Sequence, residues 1–516
     1  MRQSTNRPVN KSTNRLTRRR FVGAAVVGVL PKTDRSVAGR FIDNSHLRGH
    51  RLQDRGSFSS PAEKTKIPLV IIGGGIAGLS AAWRLDKRGF RDFLLLEMED
   101  QPGGNSRWGE NEVSAYPWAA HYVPAPNRGA TLVRELFQEL RVLQNGQWEE
   151  RYLCFSPQER LFVHGRWQEG IEPALARTAG DEQQFQRFDR RMREFRQSGQ
   201  FTIPMEAGAR PSPLDQVSMG EWLRREGFLS PYLRWYVDYA CRDDYGALAA
   251  EVSAWAGIHY YASREHEEAG PLTWPEGNGW IVKKLLGRLG RYVRPGSMAH
   301  RIVPDGRRLR VLTERAEYLA QAVIFAAPTF LAPHLMDGAP PVGRFQYSPW
   351  LTANLTLDRL PAERGSEPAW DNVIYDSPAL GYVVATHQTL RTRVDRTVCT
   401  YYWALAAGAP ADNRRLLLEK DWGYWKEAIL NDLARAHPDI RQCVSRIDIL
   451  RLGHAMVRPA VGFLFSEERR RLAEQPGAGP AGSVFFANSD LSGLSLFEEA
   501  QYRGVKAADA ALRRLG

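Results

Sequence analysis

The chain has 516 residues, 43% apolar and 25% charged, an ordinary globular composition with room for two or three domains and a large core. Its net charge of +12 is concentrated at one end: residues 1–60 hold 13 Lys/Arg against 3 Asp, whereas residues 61–516 carry 57 basic and 55 acidic side chains. A nucleic-acid binder keeps its basic excess on the folded domain, so no nucleic-acid partner is expected.

In the basic leader, Thr17-Arg18-Arg19-Arg20-Phe21-Val22 runs into an apolar stretch, residues 21–30, too short to span a bilayer. Ser36-Val37-Ala38 then places small residues where a signal peptidase reads. This leader resembles the twin-arginine export signal. The resemblance implies a signal peptide over residues 1–38, the twin-arginine machinery as an export partner, a periplasmic or other extracytoplasmic location, and a cargo already folded around a cofactor. Residues 39–64, rich in Arg, Ser, His and Asp with little apolar periodicity, read as a linker. No other window approaches 18 apolar residues, so no stable membrane span is expected.

From Thr65 the pattern is that of a dinucleotide-binding βαβ unit. An apolar run (67–72) meets Gly73-x-Gly75-x-x-Gly78, a helical pattern continues through Arg88, and a second apolar run (93–96) ends in Glu97, 24 residues after Gly73. Gly73 permits the tight turn, Gly75 lets backbone approach a pyrophosphate at the helix N-terminus (beside Ile76 and Ala77), and Gly78 lets helix and strand pack closely. Glu97 accepts hydrogen bonds from an adenosine ribose and repels a 2′-phosphate. A second GxGxxG, Gly477-Ala-Gly479-Pro-Ala-Gly482, precedes an apolar run instead of following one and reads as a loop entering a strand.

Further along, 131–143 has helical apolar spacing and 180–265 is mostly helix-like. Strands are predicted at 308–312, at 321–327 and at 351–357, where the alternation of TANLTL is that of a half-buried strand; 415–435 reads as helix. Cys154, Cys241, Cys399 and Cys443 show no CxxC spacing, and a disulfide stays possible without a preferred pairing. No metal site is expected.

Three blocks in order extend the picture. Gly103-Gly104-Asn105-Ser106 follows Glu97 closely; QAVIFAAP spans 321–328; and Val484-Phe-Phe-Ala-Asn488-Ser-Asp490 is followed by Ser495-Leu496-Phe497-Glu498-Glu499-Ala500 and Gly504. Together they resemble FAD enzymes of the flavin-containing amine oxidase and phytoene desaturase superfamily. The resemblance implies an α/β fold with a Rossmann-like FAD-binding domain, discontinuous in sequence (65–130, 275–343, 455–516), and a mixed-sheet plus helical substrate domain (131–274, 344–454). It places Gly103, Gly104, Asn105 and Ser106 along the FAD pyrophosphate and ribityl chain, Ala299 at the adenine edge, Asp490 at the flavin ribityl, and Leu496 at the head of the closing helix. The cofactor is expected to be non-covalent FAD, since no cysteine matches a flavin linkage.

Departures from the family pattern bear on chemistry. Ala119-Ala120-His121 stands where a double glycine precedes the flavin-side residue, and Asn488 and Glu499 replace usual glycines. The strand that carries a lysine near flavin N5 in many amine oxidases reads WLTANLTLD here, without lysine, and the amine-guiding tyrosines fall near His454 and Leu496. Candidate catalytic residues are His121 and His454, as imidazoles that titrate near neutrality, and Trp280 as a pocket residue. Asp243 and Asp244 are candidates to receive a cationic substrate, against the usual fate of paired helix acids as a solvated or ion-paired face. The expected activity is oxidation of a polyamine-like amine by hydride transfer to flavin N5, with oxygen or another acceptor taking the electrons; the alternatives are a carotenoid-type desaturase or dehydrogenase, and a flavin-bearing electron-transfer or binding subunit.

Overall fold

The computed structural model describes residues 36–42, 45–58, 63–265, 270–390, 393–474 and 482–516. The twin-arginine motif and its apolar run, and most of the second GxGxxG, lie outside them. Gly482 is described and leads into the strand Val484–Phe486.

Five parallel strands form the first sheet, in the order Val293–Arg294, Phe93–Leu96, Leu69–Ile72, Ala322–Phe325, Val484–Phe486. Their apolar runs are short and continuous because helices cover the sheet: the strands Leu69–Ile72, Ala322–Phe325 and Val484–Phe486 are buried at every position. The long C-terminal helix, Phe497–Leu515, packs on Ile76–Lys87. Their closest approach is at Gly504, where a Cβ would stand 2.1 Å from the carbonyl oxygen of Ala77. A four-stranded sheet of Ala299–Asp305, Arg308–Thr313, Ala316–Ala320 and Glu63–Lys66 lies beside this unit.

An eight-stranded sheet carries the other half, with Val444–Val457, Tyr347–Leu357 and Thr397–Ala404 side by side. The strand predicted as half-buried is buried at all eleven positions. Its alternation is real, but both faces are covered. Leu351, Ala353 and Leu355 join the apolar cluster of Trp425, Ile429 and Leu430, while Thr352 donates to the Trp118 carbonyl (2.6 Å) and Asn354 to that of Pro117 (3.1 Å). The polar face is tolerated inside because its groups find partners. The helical block is Ala179–Gln197, Met219–Arg225, Pro231–Tyr245 and Ala254–Ala262. The expected helix over 415–435 is two, Pro410–Glu419 and Trp422–Leu433, the second capped by Asp421, whose carboxylate accepts from the Tyr424 amide.

Residues 39–64 are not a plain linker. Ala38–Phe41 is a parallel edge strand against Val444–Val457, and His46–His50 is a helix. Periodicity missed them because each short element depends on a distant partner. His46 and His50 also stand at HxxxH spacing, a metal-site interval, but their rings meet edge-on at 5.7 Å. Among the described residues there is no group of three or more His, Cys, Asp or Glu that could hold a metal ion, and no helix long and apolar enough to cross a membrane. All four cysteines are buried free thiols.

Candidate active site

A cavity of about 450 Å3 runs along the carboxyl ends of the parallel strands and ends against the eight-stranded sheet. Strand Leu69–Ile72 delivers Gly73, whose φ of +105° is a conformation glycine alone adopts readily. Helix Ile76–Lys87 starts there with no side-chain cap, leaving its N-terminal amides and positive dipole end toward the cavity. A Cβ on Gly75 would meet no protein atom within 4 Å, so the space beside this backbone is open. Gly78 differs: its Cβ would stand 1.9 Å from the Gly73 carbonyl oxygen, so it serves packing and does not line the cavity.

Glu97 is fixed through both oxygens, accepting from the Gly74 amide (2.6 Å) and the Glu99 amide (2.8 Å), and burial pushes its carboxyl up. Gly103, Gly104, Asn105 and Ser106 follow along the same wall; Asn105 donates to the Ala455 carbonyl (2.6 Å) and so links this loop to the far sheet. Ala299, Asp490 and Leu496 also line the cavity. Asp490 accepts from the Thr329 amide (2.9 Å) and the Tyr347 hydroxyl (2.6 Å), both at Oδ2, and burial raises its carboxyl. The two unusual residues of this block have structural work. Asn488 accepts from the Asp490 amide (3.1 Å), and Glu499 accepts from the Met205 amide and the Ser492 hydroxyl (both 2.5 Å), tying the C-terminal helix to the helical block. Open space beside Gly75, an uncapped helix N-terminus and an elongated cavity together fit a dinucleotide such as FAD.

The opposite end is aromatic and acidic. His121 stacks on Tyr402 (4.4 Å between ring centres) and lies near Trp370 and Tyr122. Burial lowers its pKa to about 4, so it is neutral at ordinary pH. His454, stacked on Phe330 at 4.4 Å, is likewise lowered to about 4 by burial and by Arg414. From the strand that reads without a lysine, Trp350 and Thr352 lie on the cavity wall. Trp280 is not there: it stacks on Trp274 (4.9 Å) and lines a separate cavity with Trp83, Tyr152 and Lys284, because its helix turns it away from the strand ends.

Asp243 and Asp244, on helix Pro231–Tyr245, face the cavity and make no hydrogen bond or ion pair among the described residues. Burial raises both carboxyls; the charge of Asp244 raises Asp243 further, and for Asp244 the relief from Arg264 is opposed by Glu498, with which Arg264 is ion-paired. Behind them Asp371 is raised by burial and by the charges of Glu159 and Asp243. Tyr402 is only 6% exposed, and among the described residues the indole N–H of Trp350 has no hydrogen-bond partner. Sequence spacing could flag only the Asp243–Asp244 pair; Tyr402, Asp371 and Glu159 join it from three distant strands.

Comparison with known proteins accords with this architecture. Residues 71–140 match the family model described as a NAD(P)-binding Rossmann-like domain. The 15-cis-phytoene desaturase of Narcissus pseudonarcissus is 33% identical over 101 residues, 19% of this chain and 17% of that protein's length. Among solved structures, a putrescine oxidase with putrescine bound superposes with a TM-score of 0.66 at 17% identity, covering 87% of this chain and 100% of the other. Cyclohexylamine oxidase from Brevibacterium oxydans IH-35A gives 0.64, also at 17%, covering 87% and 99%. The fold is thus a mixed α/β one with a Rossmann-like domain, shared with flavin amine oxidases.

Proposed function

We propose that this chain is an exported FAD-dependent oxidoreductase that oxidises a C–N bond of a polyamine-like amine. The observation that carries the reading is the half-buried pair Asp243 and Asp244, unpaired carboxyls beside Tyr402 at the end of a dinucleotide-sized cavity. Carboxyls held this way are stabilised by an incoming cation, and aromatic faces add to its attraction.

When bound, FAD would supply a hydride acceptor at N5: the neutral amine, having given up its α-hydride, would leave as a protonated imine, and the electron pair would pass on to oxygen or another acceptor. The chain's own residues do the rest. Gly73, Gly75 and the amides of Ile76 and Ala77, all on the cavity wall, would hold the pyrophosphate, Glu97 the ribose and Asp490 the ribityl chain. None of the four cysteines lines the cavity, in keeping with non-covalent attachment. Asp243 and Asp244 bind a cationic nitrogen remote from the reacting one, while neutral His121 and the ring of Tyr402 wall the position where the reacting nitrogen lies unprotonated. Burial of this end keeps bulk water from it.

The phytoene desaturase match favours C=C formation as the second reading, and the acidic, polar substrate end opposes it. Anaerobic titration with polyamines and monoamines separates them: bleaching of the visible flavin band by an amine supports the first, and a bound flavin that no amine reduces overturns it. Export is tested by fractionating cells that express the Arg18→Lys/Arg19→Lys variant, which should keep the protein in the cytoplasm.

A further inference from the structure

The N-terminal segment over residues 45–58 reaches the cofactor cavity. Leu52, 5% exposed, lines its adenosine end together with Glu97, Met98, Met298 and Ala299, and shares an apolar cluster with Ile72, Leu96 and Leu335. One turn earlier, Arg48 donates to the Met98 carbonyl and the Gly296 carbonyl (2.7 Å each) and to Glu314 (Nε to Oε2, 2.9 Å). Met98 and Gly296 follow neighbouring parallel strands, and each adjoins residues of the cavity wall. A single guanidinium therefore pins two loops of the adenosine site to each other and to the segment that delivers Leu52.

The anchoring repeats on both sides. Ser45 donates to Glu99 (2.9 Å), Arg51 to Glu314 (2.6 Å), and Arg51 lies 4.6 Å from the ring centre of Phe58. Phe58 in turn stacks on His300, the neighbour of Ala299, at 4.1 Å and 6° between planes. A random polar linker would have no reason to place an arginine on two inward carbonyls and a leucine inside a cavity.

We infer that residues 45–58 are a clasp over the adenosine end of the FAD site, which must open for the cofactor to enter or leave. Arg48 is a positioning residue and Leu52 a direct wall of the site. The inference rests on reading the cavity as an FAD site, and it adds a segment outside the dinucleotide-binding unit to that site.

The test follows flavin release from the full purified chain after dilution, read as the rise in fluorescence of freed FAD. Arg48→Ala, Leu52→Asp and, from the fold side, Glu314→Gln should each speed release about tenfold or more, and trypsin should cut within 45–58 faster once the flavin is stripped. Should either clasp variant misfold, Glu314→Gln leaves the segment's own sequence intact and carries the test. Release at the wild-type rate from the folded variants overturns the clasp. A wild-type chain that takes up no FAD overturns the underlying reading and the clasp with it.

Discussion

His121 and Tyr402 lie ring on ring, 4.4 Å apart and 23° from parallel, at the aromatic and acidic end of the cavity. Burial there holds the imidazole's pKa near 4. Because the folded value is below the unfolded one, His121 gives up native stability as pH falls from the ordinary imidazole value toward 4, and above that range it stays neutral. The pH profile of kcat/KM should therefore show no imidazole limb near neutrality. His121→Asn should keep the profile's shape and lose less than the roughly 100-fold that removal of a general acid or base costs. A limb near the free imidazole value that vanishes in the variant would contradict this assignment.

The acid pair gives the opposite sign. With carboxyls raised by burial and by neighbouring acidic charge, the native state favours their protonated forms, so stability contributed at low pH is lost as pH climbs from the ordinary carboxylate range through the raised values. The remote cationic nitrogen of a diamine is held best by an ionised carboxyl, so diamine affinity should rise with pH toward about 8, with proton release on binding below that. Asp243→Asn should raise KM for a diamine by about 10- to 100-fold while changing that of a monoamine by about threefold at most. Equal losses for both substrates would place the pair outside the recognition of the remote nitrogen.

Gly75 and Gly78 separate cofactor binding from folding. Gly75→Ala adds a methyl where no protein atom lies within 4 Å, so melting of the flavin-free protein should be unchanged while flavin retention falls sharply. Gly78→Ala forces a methyl to 1.9 Å from the Gly73 carbonyl oxygen and should cost about 1–3 kcal/mol of stability or more, seen in urea unfolding of the same flavin-free protein. Retention of stoichiometric flavin by Gly75→Ala would overturn the placement of the pyrophosphate.

The strand–helix–strand unit was legible because its signals are local: Gly73, Gly75, Gly78 and Glu97 sit within or beside one strand, helix and strand, where spacing alone fixes geometry. The aromatic and acidic end of the cavity was not. Asp243 meets Asp371 and Tyr402 only because a helix packs on the eight-stranded sheet, and no local period records that. Trp280 misled because a tryptophan in a glycine-rich turn reads the same whichever way its helix faces, and the N-terminal segment misled because Arg48 finds Glu314 266 positions away. Thr352 and Asn354 imitate solvent-facing residues, since a strand pattern cannot distinguish water from the backbone carbonyls that satisfy them.

Arg264, half-buried, and buried Glu498 form an ion pair that joins the end of the helical block to the first turn of the C-terminal helix, both on the cavity wall. Glu498 is 1% exposed, so removing its partner strands a charge that water cannot reach. Arg264→Met should destabilise the protein by about 3–5 kcal/mol, whereas joining it to Glu498→Met should recover most of that loss, because the desolvation penalty disappears with the second charge. Arg264→Met also deprives Asp244 of a cation that lowers its carboxyl, and should shift the pH dependence of diamine binding further upward. Urea unfolding of the two single variants and the double variant gives the coupling. Additive losses would mean that Glu498 is solvated in solution and that the pair is no support for the closing helix.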